Sequence, residues 1–217
     1  MDGGFPIDLI LFGMIAAFLV LRLRSILGRR QGFERPTARN AIAARLMTGR
    51  VVDAVAEPVS DRPLPEAGSP AGQAFARMQL VDRGFSAQHF LEGAEAAFKL
   101  IVPGFAAGDQ VLLRPLLSDE MYRAFEGAIS AREAAGETQR TEIRAVRSAT
   151  VAQATLTGRV ADIAVRFVTD QVNLTSARDG APVTGTDAVT EMSDEWTFQR
   201  DLGQPDPAWR LVAARSA

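Results

Sequence analysis

Three hydrophobic patterns succeed one another along the chain. Residues 9–21, "LILFGMIAAFLVL", are thirteen uncharged and mostly apolar positions in a row. Further on, apolar residues recur at helical spacing: Phe75, Met78 and Val81, then Phe90, Ala94, Phe98, Ile101 and Phe105, then Met121, Tyr122, Phe125 and Ile129. Ser86 and Ser118 stand where N-caps are wanted, and Glu95 precedes Lys99 by one helical turn. Pro103-Gly104 is expected to kink or end the second helix, and Gly108-Asp109 to open a short helical turn through Leu112 and Leu116. From Thr141 the period becomes two. Ile163, Val165 and Phe167 alternate on one strand, while Ala188, Met192, Trp196 and Phe198 share a face opposite Glu191, Glu195 and Gln199 on another. Thr157-Gly158 and Asp179-Gly180 suit two-residue hairpin turns, and residues 210–214 suit a last strand. Helices followed by about four antiparallel strands predict an α+β domain, a curved sheet wrapped around helices with a cavity between them.

The apolar run is read as an uncleaved membrane anchor. Spanning a bilayer takes roughly 20 residues, which Phe5, Ile7, Leu23, Ile26 and Leu27 supply while Arg22 and Arg24 snorkel. A secretory signal has its positive charge before the apolar core, whereas this chain opens Met1-Asp2-Gly3-Gly4 and places arginines after it. By the positive-inside rule the N-terminus lies outside and the remaining chain in the cytoplasm. The expected organisation is an anchor at 1–24, a basic arm and proline-rich linker at 25–72, and a folded domain at 73–217. The linker carries Pro58, Pro63, Pro65 and Pro70.

Charge divides the chain in the same way. Arg22, Arg24, Arg29, Arg30, Arg35, Arg39, Arg45 and Arg50 face a single acid, Glu34, so residues 22–50 carry +7 and, with a net charge of -2, the remainder carries -9. These eight arginines are the candidate contacts to anionic phospholipid, each contributing about 1 kcal/mol near such a surface before screening. The other reading is a solvated arm whose arginines only set topology. The acidic body gives no reason to expect nucleic-acid binding.

Candidate chemistry is sparse. The absence of cysteine excludes disulfides and thiolate chemistry, and His89 is the single histidine. His89 near a helix start and Tyr122 within a helix read as surface positions, and Asp162, Arg166 and Asp170 on one strand face read as surface charge partners. Asp162 and Asp194 are the acids available to an apolar cavity. No G-x-S-x-G, G-x-G-x-x-G, P-loop or H-E-x-x-H motif occurs, so neither an enzyme nor a metal or cofactor protein is expected. Trp196, Phe198 and Trp209 are read as core before ligand contacts.

The stretches "FLEGAEAAFKLIVPGFAAGD", "VRF" at 165–167, "EWTFQRD" at 195–201 and "PDPAWRL" at 205–211 resemble the Tim-forty-four-like family, named for the inner-membrane anchor of the mitochondrial import motor. The matching positions are Arg166, Phe167, Trp196, Phe198, Arg200, Asp201, Pro207 and Trp209, expected to be mainly structural. The resemblance implies a cone similar to the nuclear transport factor and cystatin-like folds, with a large apolar pocket, contact with anionic inner-membrane lipid, and, in bacterial relatives, an N-terminal transmembrane helix. The long charged region that recruits the Hsp70 motor in the mitochondrial protein has no counterpart here. The implied role is a non-catalytic, single-pass adaptor of the bacterial inner membrane, acting in membrane-protein assembly or translocation. A pocket protein for a small apolar ligand or lipid, and a ribosome-facing membrane receptor, are the alternatives.

Overall fold

A computed structural model describes residues 60–217. The anchor at 1–24 and all eight arm arginines lie outside these residues; among the described residues no helix is long and apolar enough to cross a membrane. The order is α1 (Pro70–Val81), α2 (Ala87–Ala107), α3 (Gln110–Leu113), α4 (Asp119–Ala135), β1 (Thr138–Thr157), β2 (Val160–Ser176), β3 (Pro182–Asp201) and β4 (Arg210–Ser216). The strands form one antiparallel meander in the order β1-β2-β3-β4, which is the expected α+β layout.

Side-chain caps start the helices. Ser69, Ser86, Asp109 and Ser118 accept from the backbone N–H groups of Gly72, His89, Leu112 and Met121, satisfying donors that have no partner within a first helical turn. Of the two outcomes expected at Pro103-Gly104, a kink or an end, the end does not occur there. Helix α2 continues to Ala107 and is closed by Gly108, whose N–H reaches the carbonyls of Gly104 and Phe105. So near the C-terminus, proline removes one ladder bond while the packed face, with Phe98, Ile101 and Ala106 buried, holds the turn in place. Gly104 is needed for another reason: an added Cβ would lie 2.7 Å from Leu112 Cδ2, so glycine lets α3 pack close.

Both hairpins differ in detail from the expected turns. Thr157 pairs with Val160, so the first loop is Gly158-Arg159, one residue later, with Gly158 at φ 63°. In the second, Ala177 N–H donates to Ala181 O and Gly180 N–H to Ala177 O, closing a three-residue loop with Gly180 at φ 85°. A left-handed last residue is the usual way to close a three-residue hairpin loop.

Three register shifts in β1, at Ile143/Ala145, Val146/Ser148 and Val151/Gln153, insert residues without partners and bend the sheet. Helices α1 and α2 lie against β1, and the inner face receives Ile163, Val165 and Phe167 from β2, Trp196 and Phe198 from β3, and Leu211 from β4. Phe98 of α2 stacks on Phe167 at 4.5 Å and meets Trp196 at 4.6 Å between ring centroids. Such aromatic pairs add about 0.5–1.5 kcal/mol beyond area burial. On the outer face the charges pair across strands: Arg147 with Asp170 at 2.8 Å, Arg166 with Glu195 at 3.3 Å, and Gln199 with Asp162 at 2.7 Å. Asp162, Arg166 and Asp170 are thus surface partners, as their common parity predicts.

Residues 60–62, within the proline-rich segment, pack on this body. Asp61 N–H donates to Arg147 O at 3.0 Å, and Ala149 N–H donates to Asp61 O at 2.9 Å, a parallel bridge on the edge of β1 beside a bulge. Alongside, the Ser60 hydroxyl donates to Glu95 Oε2, Arg62 Nε lies 3.5 Å from the same oxygen, and Lys99 Nζ lies 3.0 Å from Glu95 Oε1. Glu95 is buried, and three donors from two segments satisfy it.

Candidate functional site

A surface cleft of about 660 Å³ is lined by Gln110, Val111, Arg114, Pro115, Tyr122 and Arg210. Two neighbouring helices, the segment between them and a strand distant in sequence build it. Helix α3 contributes Gln110 and Val111; Arg114 and Pro115 follow; Tyr122 comes from the first turn of α4; and Arg210 opens β4. The backbone beneath is pinned: Leu211 N–H donates to Leu116 O and Ser118 N–H to Leu211 O, each at 2.9 Å, forming a parallel Leu117–Leu211 bridge. Leu113, Leu117 and Leu211 are fully buried there, so the two arginines rise from a rigid base.

The lining contains two guanidinium groups and no carboxylate. Arg114 Nη2 donates to Asp119 Oδ1 at 2.6 Å, and Arg114 Cζ lies 4.8 Å from the Tyr122 ring centroid. The Tyr122 hydroxyl donates to Gln110 Oε1 at 3.5 Å. Arg210 Nη2 is 3.5 Å from Asp206 Oδ2. Both acids stand in solvent, their side chains 73% and 55% exposed. The bonded Arg114 guanidinium, then its charge, holds Asp119 below the usual carboxylate range, with smaller contributions from Arg123 and Arg210. Both pairs are exposed to solvent, so each guanidinium can exchange its carboxylate for another.

Of the residues singled out from sequence, Tyr122 lines the cleft, whereas the family-motif residues fall elsewhere. Phe167, Trp196 and Phe198 are buried in the core; Arg166 pairs with Glu195 on the outer face. Arg200, Asp201 and Trp209 build the β3–β4 connection. Arg200 Nη2 lies 3.2 Å from Asp82 Oδ2 and its Nε donates to Asp206 O; Asp201 Oδ1 accepts from Gly203 N–H at 2.8 Å. Trp209 packs on Phe90 at 4.7 Å and on Phe85 at 6.1 Å between centroids. Pro207 is exposed in the same connection. This fastening places Arg210, the next residue after Trp209, at the cleft. His89 is exposed, with its backbone N–H on Ser86 Oγ.

Asp194 occupies the inner face, opposite Phe167 on β2 and Ser216 on β4. Burial pushes its carboxyl up to about 6, against a smaller opposite effect of the Ser216 hydroxyl, which donates to Oδ1 at 3.5 Å. Among the described residues no group of three or more His, Asp or Glu could hold a metal ion.

Arg114 and Arg210 escaped the sequence reading, because nothing in the local pattern joins residues 110–122 to residue 210. The stretch "PDPAWRL" is legible as a family motif, but that it delivers Arg210 to a cleft depends on where Trp209 packs.

No curated protein matches the sequence. Among solved structures, the crystal structure of the intermembrane space region of the chloroplast protein ARC6 is similar, at 11% identity and a TM-score of 0.44, over 59% of this chain and 94% of that one. A likeness of that size carries no argument about function. The Tim44-like domain family matches residues 71–216, about two-thirds of the chain and the extent of the folded body just described, and the chain belongs to that family.

Proposed function

We propose that the chain is a membrane-anchored, non-catalytic adaptor in protein translocation or membrane-protein assembly, its folded domain on the cytoplasmic side of a bacterial inner membrane. The observation that carries this reading is the Tim44-like domain over residues 71–216 joined to an apolar run flanked by arginines. The arm from Arg22 to Arg50 associates with anionic phospholipid, and the folded domain meets protein partners. The cleft supports the protein half: open to solvent and lined by two arginines, it suits a polar, extended ligand better than an enclosed apolar one.

The test is crosslinking in intact membranes, with photoreactive residues at several exposed positions of the domain and mass spectrometry after extraction. Recurrent crosslinks to subunits of a translocation or assembly machine are expected; a domain that crosslinks to no protein from any position would sink the adaptor reading. Flotation with vesicles tests the lipid half. Binding that rises with anionic lipid and falls with salt is expected, whereas indifference to lipid charge would remove it.

A further inference from the structure

The cleft holds a chemical preference that family membership does not supply. Its two cationic side chains come from two segments, Arg114 from the α3–α4 connection and Arg210 from β4, over backbone held by reciprocal hydrogen bonds. Each is engaged by a carboxylate of its own chain, Asp119 at 2.6 Å and Asp206 at 3.5 Å. Those contacts show that carboxylates fit the guanidiniums in these positions, and their exposure means that another carboxylate can replace them at small cost. Beside the cations stand two groups suited to a less polar neighbour: the Tyr122 ring, already stacked under Arg114, and Val111, 87% exposed at the rim. Val111 is exposed beside the arginines, where an apolar side chain of a ligand could cover it.

We propose that this cleft is a docking site for an acidic peptide segment of a partner protein. Its Glu or Asp carboxylates exchange with Asp119 and Asp206 on Arg114 and Arg210, and an aromatic or aliphatic neighbour lies on Tyr122 and Val111. A bilayer surface is the poorer occupant. It is flat, whereas the cleft is a concave feature between α3, α4 and the start of β4 that an extended segment can enter. The proposal deepens the adaptor reading and rests on it only for the statement that the partner is a protein at the membrane.

The experiment uses the full chain in nanodiscs of neutral lipid, with a labelled Glu-rich peptide containing one phenylalanine and its Gln counterpart as probes. The Glu peptide is expected to bind saturably, more weakly as salt rises, and the Gln peptide to bind much more weakly. Arg114→Glu with Arg210→Glu should weaken the Glu peptide by about tenfold or more, while Arg144→Glu on β1, remote from the cleft, should leave it unchanged. Arg114→Lys with Arg210→Lys keeps charge but loses the bidentate fork, and should fall between. Equal binding of the two peptides, or indifference to charge reversal in variants that melt like the parent, overturns the proposal. So does binding of anionic vesicles that depends on Arg114 and Arg210 while the peptide does not, which would assign the cleft to lipid phosphate. A photoreactive residue at Val111 in intact membranes separates this from the broader reading. Protein crosslinks there that are indifferent to the reversed arginines overturn the acidic-peptide assignment and leave the adaptor standing. Peptide binding without protein crosslinks from any position upholds the cleft's chemistry and removes the adaptor.

Discussion

Glu95 and Asp119 are both carboxylates paired with basic side chains, and the fold treats them in opposite ways. Glu95 has 9% of its side chain exposed and is held by Ser60, Arg62 and Lys99, so three donors compensate the water it has lost. Asp119, 73% exposed, holds Arg114 beside a cleft. The first arrangement is saturated and ties the segment entering the domain to α2. The second leaves its cations available. An ion pair is read by burial and satisfaction, and those criteria assign one region to stability and the other to recognition.

Removing Glu95 should break the comparison most sharply. Glu95→Ala strands Ser60 and two cations, and because Arg62 and Lys99 still reach water the expected loss is about 2–3 kcal/mol, below the 3–5 of a fully buried pair. Urea unfolding measures it; a loss under about 0.5 kcal/mol would erase the distinction from the cleft. Asp194 offers a half-buried acid that has no cationic partner among the described residues. Its folded pKa of about 6 exceeds the ordinary 3.8, so stability is greatest when the group is protonated in both states and declines as pH rises from about 4 to about 6. Asp194→Asn should therefore stabilise at neutral pH, by on the order of 2 kcal/mol, with the gain vanishing below about pH 4. Melting curves across that range check the sign, and a gain that persists in acid would count against a buried carboxylate. Ser60→Ala should cost about 1 kcal/mol by removing one donor to Glu95 and loosening the bridge at Asp61, visible as faster exchange of the Ala149 amide. The smallest effect belongs to the cleft: Arg114→Ala and Arg210→Ala should each change stability by less than about 0.5 kcal/mol. A larger loss in thermal unfolding would mean that these arginines hold the fold.

Much of this architecture is legible in the sequence because its causes are local. Ser86 and Ser118 announce helix starts, since a cap acts on an N–H three residues away. The alternation of Ile163, Val165 and Phe167 survives because one face of β2 is buried along most of its length. The hairpins were misjudged by a residue because glycine marks a turn without specifying which loop position it occupies. Pro103 does not end α2 for a different reason. Its local cost is real, but the packed face of α2 carries the helix past it.

The order of elements, the four strands and the family were determined by the sequence itself, through short-range periodicity and the motifs around Trp196 and Trp209. Tertiary structure alone decided the sites. It brought Arg210 beside Arg114 by pinning β4 to the segment between α3 and α4, and it brought Ser60 and Arg62 to Glu95 by pairing Asp61 with the edge of β1. The physical reason is distance along the chain. Periodicity and capping act over a few residues, whereas a cleft or a buried ion pair joins positions separated by dozens, and their juxtaposition follows from the packing of the whole core.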